Sequence, residues 1–428
     1  MTKFYILSIC LIFFLFNVKA QHKAVSFEVN GLKVILRQTQ KETVSMSMYF
    51  RGGVMNYSPQ QAGIENLALA AAATCGTKNY KVTDYQELAD EYGIRINGSS
   101  TTDYGTISMD CISKYFEQGW KLFSDAVLNP AFDKSEFQTT KEKIVSGIYQ
   151  RFSNPERRIE QMSMQSIFYG SPYSTDPMGT DATVKGFTAD SVSHYYHTQL
   201  LNKNKMFLVV AGRISPEDLE KKISLAFASL KAAPYTPVAY TPKVIEGEHL
   251  VTEQRNLATN YMNCVLNAPA VSNPDYYPFM LAVNALSGNM FHEIRTKQGL
   301  SYAPGARIKK QQMPYITMYV STTQPKKSFH AMAGVFRSIK AGNYSQKFLD
   351  AIKKEHRLRY YLHQESSSDI VEDLGEAEIL GGYQMLENMV ANIDKVTLSD
   401  MNTAFNTYTK GAIWLYLGDE QLGREAFK

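Results

Sequence analysis

Apolar and polar positions along this chain change period in an order that occurs twice. Strict alternation marks Thr106-Ile107-Ser108-Met109-Asp110-Cys111 and again Ile316-Thr317-Met318-Tyr319-Val320, the period-two pattern of a half-buried antiparallel strand. Apolar runs at Met206–Val210 and Trp414–Leu417 predict further strands, each stopped by a glycine, Gly212 and Gly418. Amphipathic spacing predicts helices over Lys134 to Tyr149 and Ser345 to Gln364. A third helix-like run, mostly apolar, begins at Gly63-Ile64 and ends at Gly76-Thr77-Lys78.

These segments fall into two related halves. Glu87-Leu88-Ala89-Asp90-Glu91-Tyr92-Gly93-Ile94 parallels Glu293-Ile294-Arg295-Thr296-Lys297-Gln298-Gly299-Leu300 at an offset of 206, each reading as a helix closed by a left-handed glycine and followed by a strand. Thr188-Ala189-Asp190 and Thr397-Leu398-Ser399-Asp400 supply N-caps for a helix that precedes the last strand of each half. The shared order and near-common offset indicate duplication. Between the halves, 231–247 carries Pro234, Pro237 and Pro242, a composition for an extended connection. The prediction is an α+β protein of two homologous domains, 21–230 and 248–428, each an antiparallel sheet covered by helices.

Composition adds a compartment and removes some partners. Residues 1–20 read as an export signal, with Lys3 before the apolar run Tyr5–Phe16 and Val18-Lys19-Ala20 before Gln21; a bacterial periplasm is the expected location. No later segment is long and apolar enough to cross a bilayer. The net charge of +4 falls by two with Lys3 and Lys19, which gives no case for nucleic acid. At 44% hydrophobic and 20% charged the chain is ordinary for a globular protein. Cys75, Cys111 and Cys264 form no Cys-x-x-Cys pair; a bond between Cys75 and Cys111 is possible in an oxidising compartment.

The sequence Gln61-Ala62-Gly63-Ile64, leading into the helix that ends at Gly76, resembles the pitrilysin or insulinase-type zinc peptidases, the inverzincins. Their helix carries His-x-x-Glu-His, two imidazoles on one ion with the glutamate as general base. By resemblance those places fall on Asn66, Leu69 and Ala70. The family's third ligand, a glutamate on a later helix, falls on Gly147 within the frame Gly147-Ile148 and Ser153-Asn154-Pro155. None of the four is a zinc ligand of the usual kind. Glu142 lies near in sequence, but one carboxylate does not hold zinc. The interval Gly63 to Gly76 is one residue longer than the usual motif, yet no slip restores the site, because no histidine occurs between His22 and His194.

Phe291-His292-Glu293-Ile294-Arg295-Thr296-Lys297-Gln298-Gly299-Leu300-Ser301-Tyr302 is similar to the family's second signature. There an arginine and a tyrosine seven positions apart flank a Gly-Leu turn and touch the peptide bond being cut; Arg295 and Tyr302 occupy those positions. Without that role, Arg295 would form a surface ion pair and Tyr302 would pack in a strand. A glycine-containing turn, Ser287-Gly288-Asn289, is expected before the signature. His194 with His197, and His356 with His363, lack the spacing of a zinc site, and the second pair reads as solvated.

The resemblance implies a metal-free subunit of a two-subunit peptidase like mitochondrial processing peptidase, forming half a clamshell. A paralogous partner would bring the zinc, and an extended peptide substrate would be positioned here; no cofactor is expected in this chain. A peptidase with an unrecognised metal site and a purely structural peptidase-derived protein are the alternatives.

Overall fold

The computed structural model describes residues 23–428, so the predicted export signal lies outside the described residues. The first half builds a six-stranded sheet from β1 (Val25–Val29), β2 (Leu32–Gln38), β3 (Thr43–Arg51), β4 (Arg95–Ser100), β5 (Tyr104–Ile112) and β6 (Met206–Gly212), in the order β1-β2-β6-β3-β5-β4. The second builds a five-stranded sheet from β7 (Glu248–Gln254), β8 (Asn260–Asn267), β9 (Gly305–Lys309), β10 (Tyr315–Thr322) and β11 (Ala412–Gly418), in the order β7-β11-β8-β10-β9. Matching β2, β6, β3, β5 and β4 to β7, β11, β8, β10 and β9 superposes the two orders. The halves therefore share a topology, and among the described residues β1 alone has no counterpart.

The sheets are mixed and not purely antiparallel as the sequence suggested. β2 runs parallel to β6 and β7 runs parallel to β11. The paired strands lie at opposite ends of each half, so no hairpin forces them to oppose one another.

Local signals in the sequence act where expected. Thr188 and Thr397 both close capping boxes, on Ser191 and Asp400 respectively, and satisfy amides that a helix start leaves free. The predicted helices run Lys134–Ser153 and Gln346–His363. Gly93 and Gly299 both take left-handed backbone, at φ 61° and 62°. In the first half, the Ile94 amide donates to the Ala89 carbonyl at 2.8 Å, and the helix Val82–Glu91 ends in a regular glycine cap. In the second half the equivalent turn is a π-helix over Phe291–Lys297, and the Leu300 amide reaches back one residue further, to Ile294 at 2.9 Å. Ser287-Gly288-Asn289 is not a turn but part of the Tyr276–Met290 helix. Its neighbours Leu286 and Met290 are wholly buried, so the apolar face carries the helix through the glycine.

Each half finishes the other's sheet. The Pro155–Ile167 helix of the first half lies on β8 and β11, where Asn263 donates to Ser163 Oγ at 2.8 Å. The Ser367–Leu380 helix of the second lies on β3 and β6, with Ile370, Val371 and Leu374 packed on Ile35, Tyr49 and Phe207. Gly375 there meets the Tyr49 ring so closely that a Cβ would stand 2.0 Å from Cζ. Polar ties reinforce the contact: the buried Arg37 guanidinium donates to Gln364 at 2.8 Å and pairs with Glu387. Residues 231–247 contain no helix or strand. Among the described residues no helix is long and apolar enough to cross a membrane.

Candidate functional site

The helix at the site spans Ile64–Thr74, and Gly63 starts it in the left-handed region at φ 89°. A Cβ there would stand 2.6 Å from the Met178 carbonyl oxygen, so only glycine fits both the angle and the space. The small side chains Ala68, Ala71 and Ala72 are buried and let the helix settle deep against β4 and β5. Gly98 and Gly105 make room for it: a Cβ on Gly98 would fall 1.9 Å from the Leu69 carbonyl oxygen, and one on Gly105 2.3 Å from Leu69 Cδ1.

The positions on which the resemblance places the family's metal chemistry have structural surroundings. The Asn66 side-chain oxygen accepts from the Ser100 amide at 3.1 Å and so ties down the end of the edge strand β4. Leu69 is wholly buried beneath the two glycines. Ala70 is half-buried. Gly147 lies on the Lys134–Ser153 helix, which packs against Ile64–Thr74, and its missing Cβ would meet only Met178 Cε, at 3.3 Å. Glu142 is exposed and accepts from Gln138 at 2.7 Å. Among the described residues no three His, Cys, Asp or Glu side chains are grouped so as to hold an ion. The donor set does not fit zinc.

Sequence reading missed a buried carboxyl on this same helix. Glu65 is wholly buried; its Oε2 accepts from Asn56 Nδ2 at 2.8 Å and Tyr195 OH at 2.9 Å, while Oε1 has no partner. Burial pushes its pKa up to about 7, against the opposing pull of the Asn56 bond, Lys205 and the Tyr195 bond. The available signal was a lone acid inside the apolar run Ile64–Ala73. Because the folded pKa lies above the unfolded one, the contribution to stability is fully present below about 4.5 and lost as pH rises through about 7. Relative to Glu65→Gln, the wild-type protein should lose about 3 kcal/mol of stability across that window. Urea unfolding of both proteins at several pH values checks this, and a difference that does not change with pH would contradict it.

Arg295 and Tyr302 are brought together. The Arg295 guanidinium carbon lies 4.8 Å from the centre of the Phe291 ring and 4.3 Å from that of Tyr302, so the cation is held between two aromatic faces. The widened π-turn places Phe291 and Arg295 on one side, and the Gly299 turn returns Tyr302 over them. Among the described residues no carboxylate pairs with Arg295; the nearby Glu293 is engaged by Lys297 and Gln298. Tyr302 is 78% exposed and precedes β9 instead of lying in a strand. The clamp therefore presents a free guanidinium fork and a phenol to solvent.

The remaining candidates have structural roles. His197 Nδ1 lies 2.8 Å from the Ser193 carbonyl, and His194 is exposed. His363 pairs with Asp373 at 3.2 Å. His356 is not freely solvated as expected: it is bonded to Asn284 at 2.6 Å, and burial lowers its pKa. Cys75, Cys111 and Cys264 are buried free thiols. Cys75 Sγ lies 3.8 Å from the Thr140 hydroxyl, and no disulfide joins Cys75 to Cys111 in this structure.

Residues 33–181 match the family described as Insulinase (Peptidase family M16), and residues 186–355 match that described as Peptidase M16 inactive domain. An uncharacterized zinc protease, YmxG of Bacillus subtilis, is 20% identical, the match covering 87% of this chain and 92% of that protein. Helicobacter pylori contributes two relatives. One, named a non-peptidase homolog, is 18% identical over 90% of this chain and 91% of its own; the other, zinc protease PqqE, is 20% identical over 91% and 90%. Among solved structures, a peptidase M16 inactive domain from Pseudomonas fluorescens superposes with a TM-score of 0.84 at 18% identity, covering 93% of this chain and 98% of that one.

Proposed function

This chain belongs to the insulinase-type peptidases of family M16, and from that premise we propose that it is the non-catalytic, substrate-positioning subunit of an exported two-subunit zinc peptidase. The observation that carries the reading is the clamped arginine. Arg295 and Tyr302, which by resemblance occupy the family's positions, stand 4.3 Å apart from guanidinium carbon to ring centre and without a competing ion pair among the described residues, while Asn66, Leu69, Ala70 and Gly147 are not zinc ligands of the usual kind. Loss of one function with retention of the other fits a division of labour between subunits.

In this reading zinc, and the water it activates, belong to a paralogous partner. This chain contributes donors: the Arg295 fork and the Tyr302 phenol face the carbonyl oxygen of the scissile bond as it gains charge, where they favour the transition state over the substrate. The extended peptide pairs with an open sheet edge. β4 is such an edge, half-exposed at alternate residues and held in place by Asn66. Two H. pylori relatives, one named a zinc protease and the other a non-peptidase homolog, support metal-bearing and metal-free members coexisting in one organism. Export to the periplasm is supported by the leader sequence.

The test is recovery of the C-terminally tagged protein from its native source under mild conditions, followed by mass spectrometry. A stoichiometric relative carrying His-x-x-Glu-His is expected, with peptide cleavage by the pair and none by this chain alone. Recovery of this chain without such a relative would overturn the assignment.

A further inference from the structure

A hollow of about 520 Å³ lies where the two halves meet, between the start of the Pro155–Ile167 helix and the strands β8, β10 and β9. Three cations crowd it. Arg307 and Lys309 of β9 and Arg157 of the helix all engage one carboxylate, Glu160. Glu156 accepts from the Tyr319 hydroxyl at 3.1 Å, so two carboxylates face three cations. Burial raises the pKa of Glu160, yet Lys309, Arg307 and Arg157 hold it below the ordinary value. Burial lowers the pKa of Lys309, and Arg307 and Arg157 depress it further against the pull of Glu160. The surplus of positive charge is therefore felt by the groups already there.

The lining also holds a polar atom that lacks a partner. Asn263 is 2% exposed; its Nδ2 donates to Ser163 Oγ at 2.8 Å, and its Oδ1 accepts from nothing among the described residues. It stands directly opposite Tyr319 of the neighbouring strand, so the two side chains share a face of the sheet. A buried oxygen left without a donor costs about 1–3 kcal/mol, which a bound N–H would recover. Arg307 meets Glu160 through Nη2 and Arg157 through Nη1, and the other donors of each fork are unengaged among the described residues. Ala303, the neighbour of Tyr302, lines the same hollow, which places it beside the clamp.

We propose that this hollow is a carboxylate subsite for the bound peptide, with Arg157 and Arg307 as donors to the carboxylate and Asn263 Oδ1 as acceptor for an N–H of the same peptide. The inference rests on the reading that this chain positions an extended peptide, and it adds which peptides are preferred: those that bring negative charge next to the Arg295–Tyr302 clamp. Guanidinium forks match the planar carboxylate, and partial burial of Glu160 and Lys309 keeps the site from being screened as an open surface would be. The carboxylate comes from an acidic side chain or from the free C-terminus of the peptide; the chemistry is shared.

The probes are three acetylated alanine pentapeptides: one with a central Asp and an amidated end, one with a central Asn and an amidated end, and one with a central Asn and a free C-terminal carboxylate. Their affinities for the mature chain alone are measured by calorimetry. At least one carboxylate-bearing peptide should bind about tenfold more tightly than the uncharged one, the scale of a charge-assisted hydrogen bond. An advantage of the Asp peptide identifies a side chain as the source, and an advantage of the free end identifies the terminus. Arg307→Gln combined with Arg157→Gln, both at exposed positions, should cancel the advantage while the melting temperature stays within a few degrees. Arg295→Ala should retain it. Equal binding of the three peptides, no binding of any, or an advantage that survives the double substitution overturns the proposal. So does an advantage lost with Arg295→Ala, which would make the clamp the carboxylate site. Because no zinc-bearing subunit is present, failure here leaves the two-subunit reading standing, and failure to recover such a subunit leaves this preference standing.

Discussion

Replacing Arg295 with alanine is expected to lower kcat/KM of the assembled peptidase about 100-fold, the usual scale for removing one preorganised donor from a developing oxyanion. The expectation rests on how the side chain is held. The flanking rings of Phe291 and Tyr302 orient the guanidinium, and no neighbouring carboxylate among the described residues occupies its donors. Because the clamp is exposed at Tyr302, its loss costs the fold little, about 1 kcal/mol, and the subunits should remain together. Arg295→Lys keeps a charge and loses the planar fork, so it should recover only part of the rate. Tyr302→Phe keeps the clamp and removes the hydroxyl, separating orientation of the arginine from donation by the phenol. Turnover of several peptides by purified mutant complexes decides the matter: wild-type rates for Arg295→Ala would leave the pair a relic.

Gly98→Val should destabilise the protein by about 4 kcal/mol or more, through overpacking against an immovable neighbour. A Cβ at this position would fall 1.9 Å from the Leu69 carbonyl oxygen and 2.3 Å from its carbon. These are backbone atoms of a helix whose buried alanines leave it no room to retreat, so the strand and helix must part. Gly186→Ala, where an added Cβ meets nothing within 4 Å, provides the matched control and should change stability by less than about 1 kcal/mol. Thermal unfolding of both variants checks the difference; a Gly98→Val protein that melts with the wild type would show that the helix can move aside.

Features set by a few neighbouring residues were legible in the sequence. The threonine caps and the glycine stops at Gly93 and Gly299 each depend on residues within a turn or two of one another. That Asn66, Leu69 and Ala70 are not zinc ligands of the usual kind was readable because ligand chemistry is a property of residue type. What those residues do instead was not: Asn66 reaches Ser100 and Leu69 fills the space left by Gly98 and Gly105, contacts that exist only once β4 has come to rest on the helix. The parallel pairs β2 with β6 and β7 with β11 escaped for the same reason, since alternation reports burial and carries no strand direction. Glu65 marked itself as the one acid in an apolar helix, but its partners Asn56 and Tyr195 come from opposite ends of the first half. Likewise, no local pattern announced that His356 is engaged by Asn284 and not by water.

The reciprocal cover of the two sheets bears on how this chain can change over generations. The Pro155–Ile167 and Ser367–Leu380 helices each complete a sheet encoded in the opposite half. Deleting either half would bare an apolar face of the survivor and leave its lent helix without a seat. A duplication joined in this way cannot be undone, because neither copy remains a self-sufficient folding unit. Chemistry at individual positions is under no such bond: Asn66, Leu69 and Ala70 satisfy the fold without a metal, so catalytic identity is free to drift while the body of the protein is inherited whole.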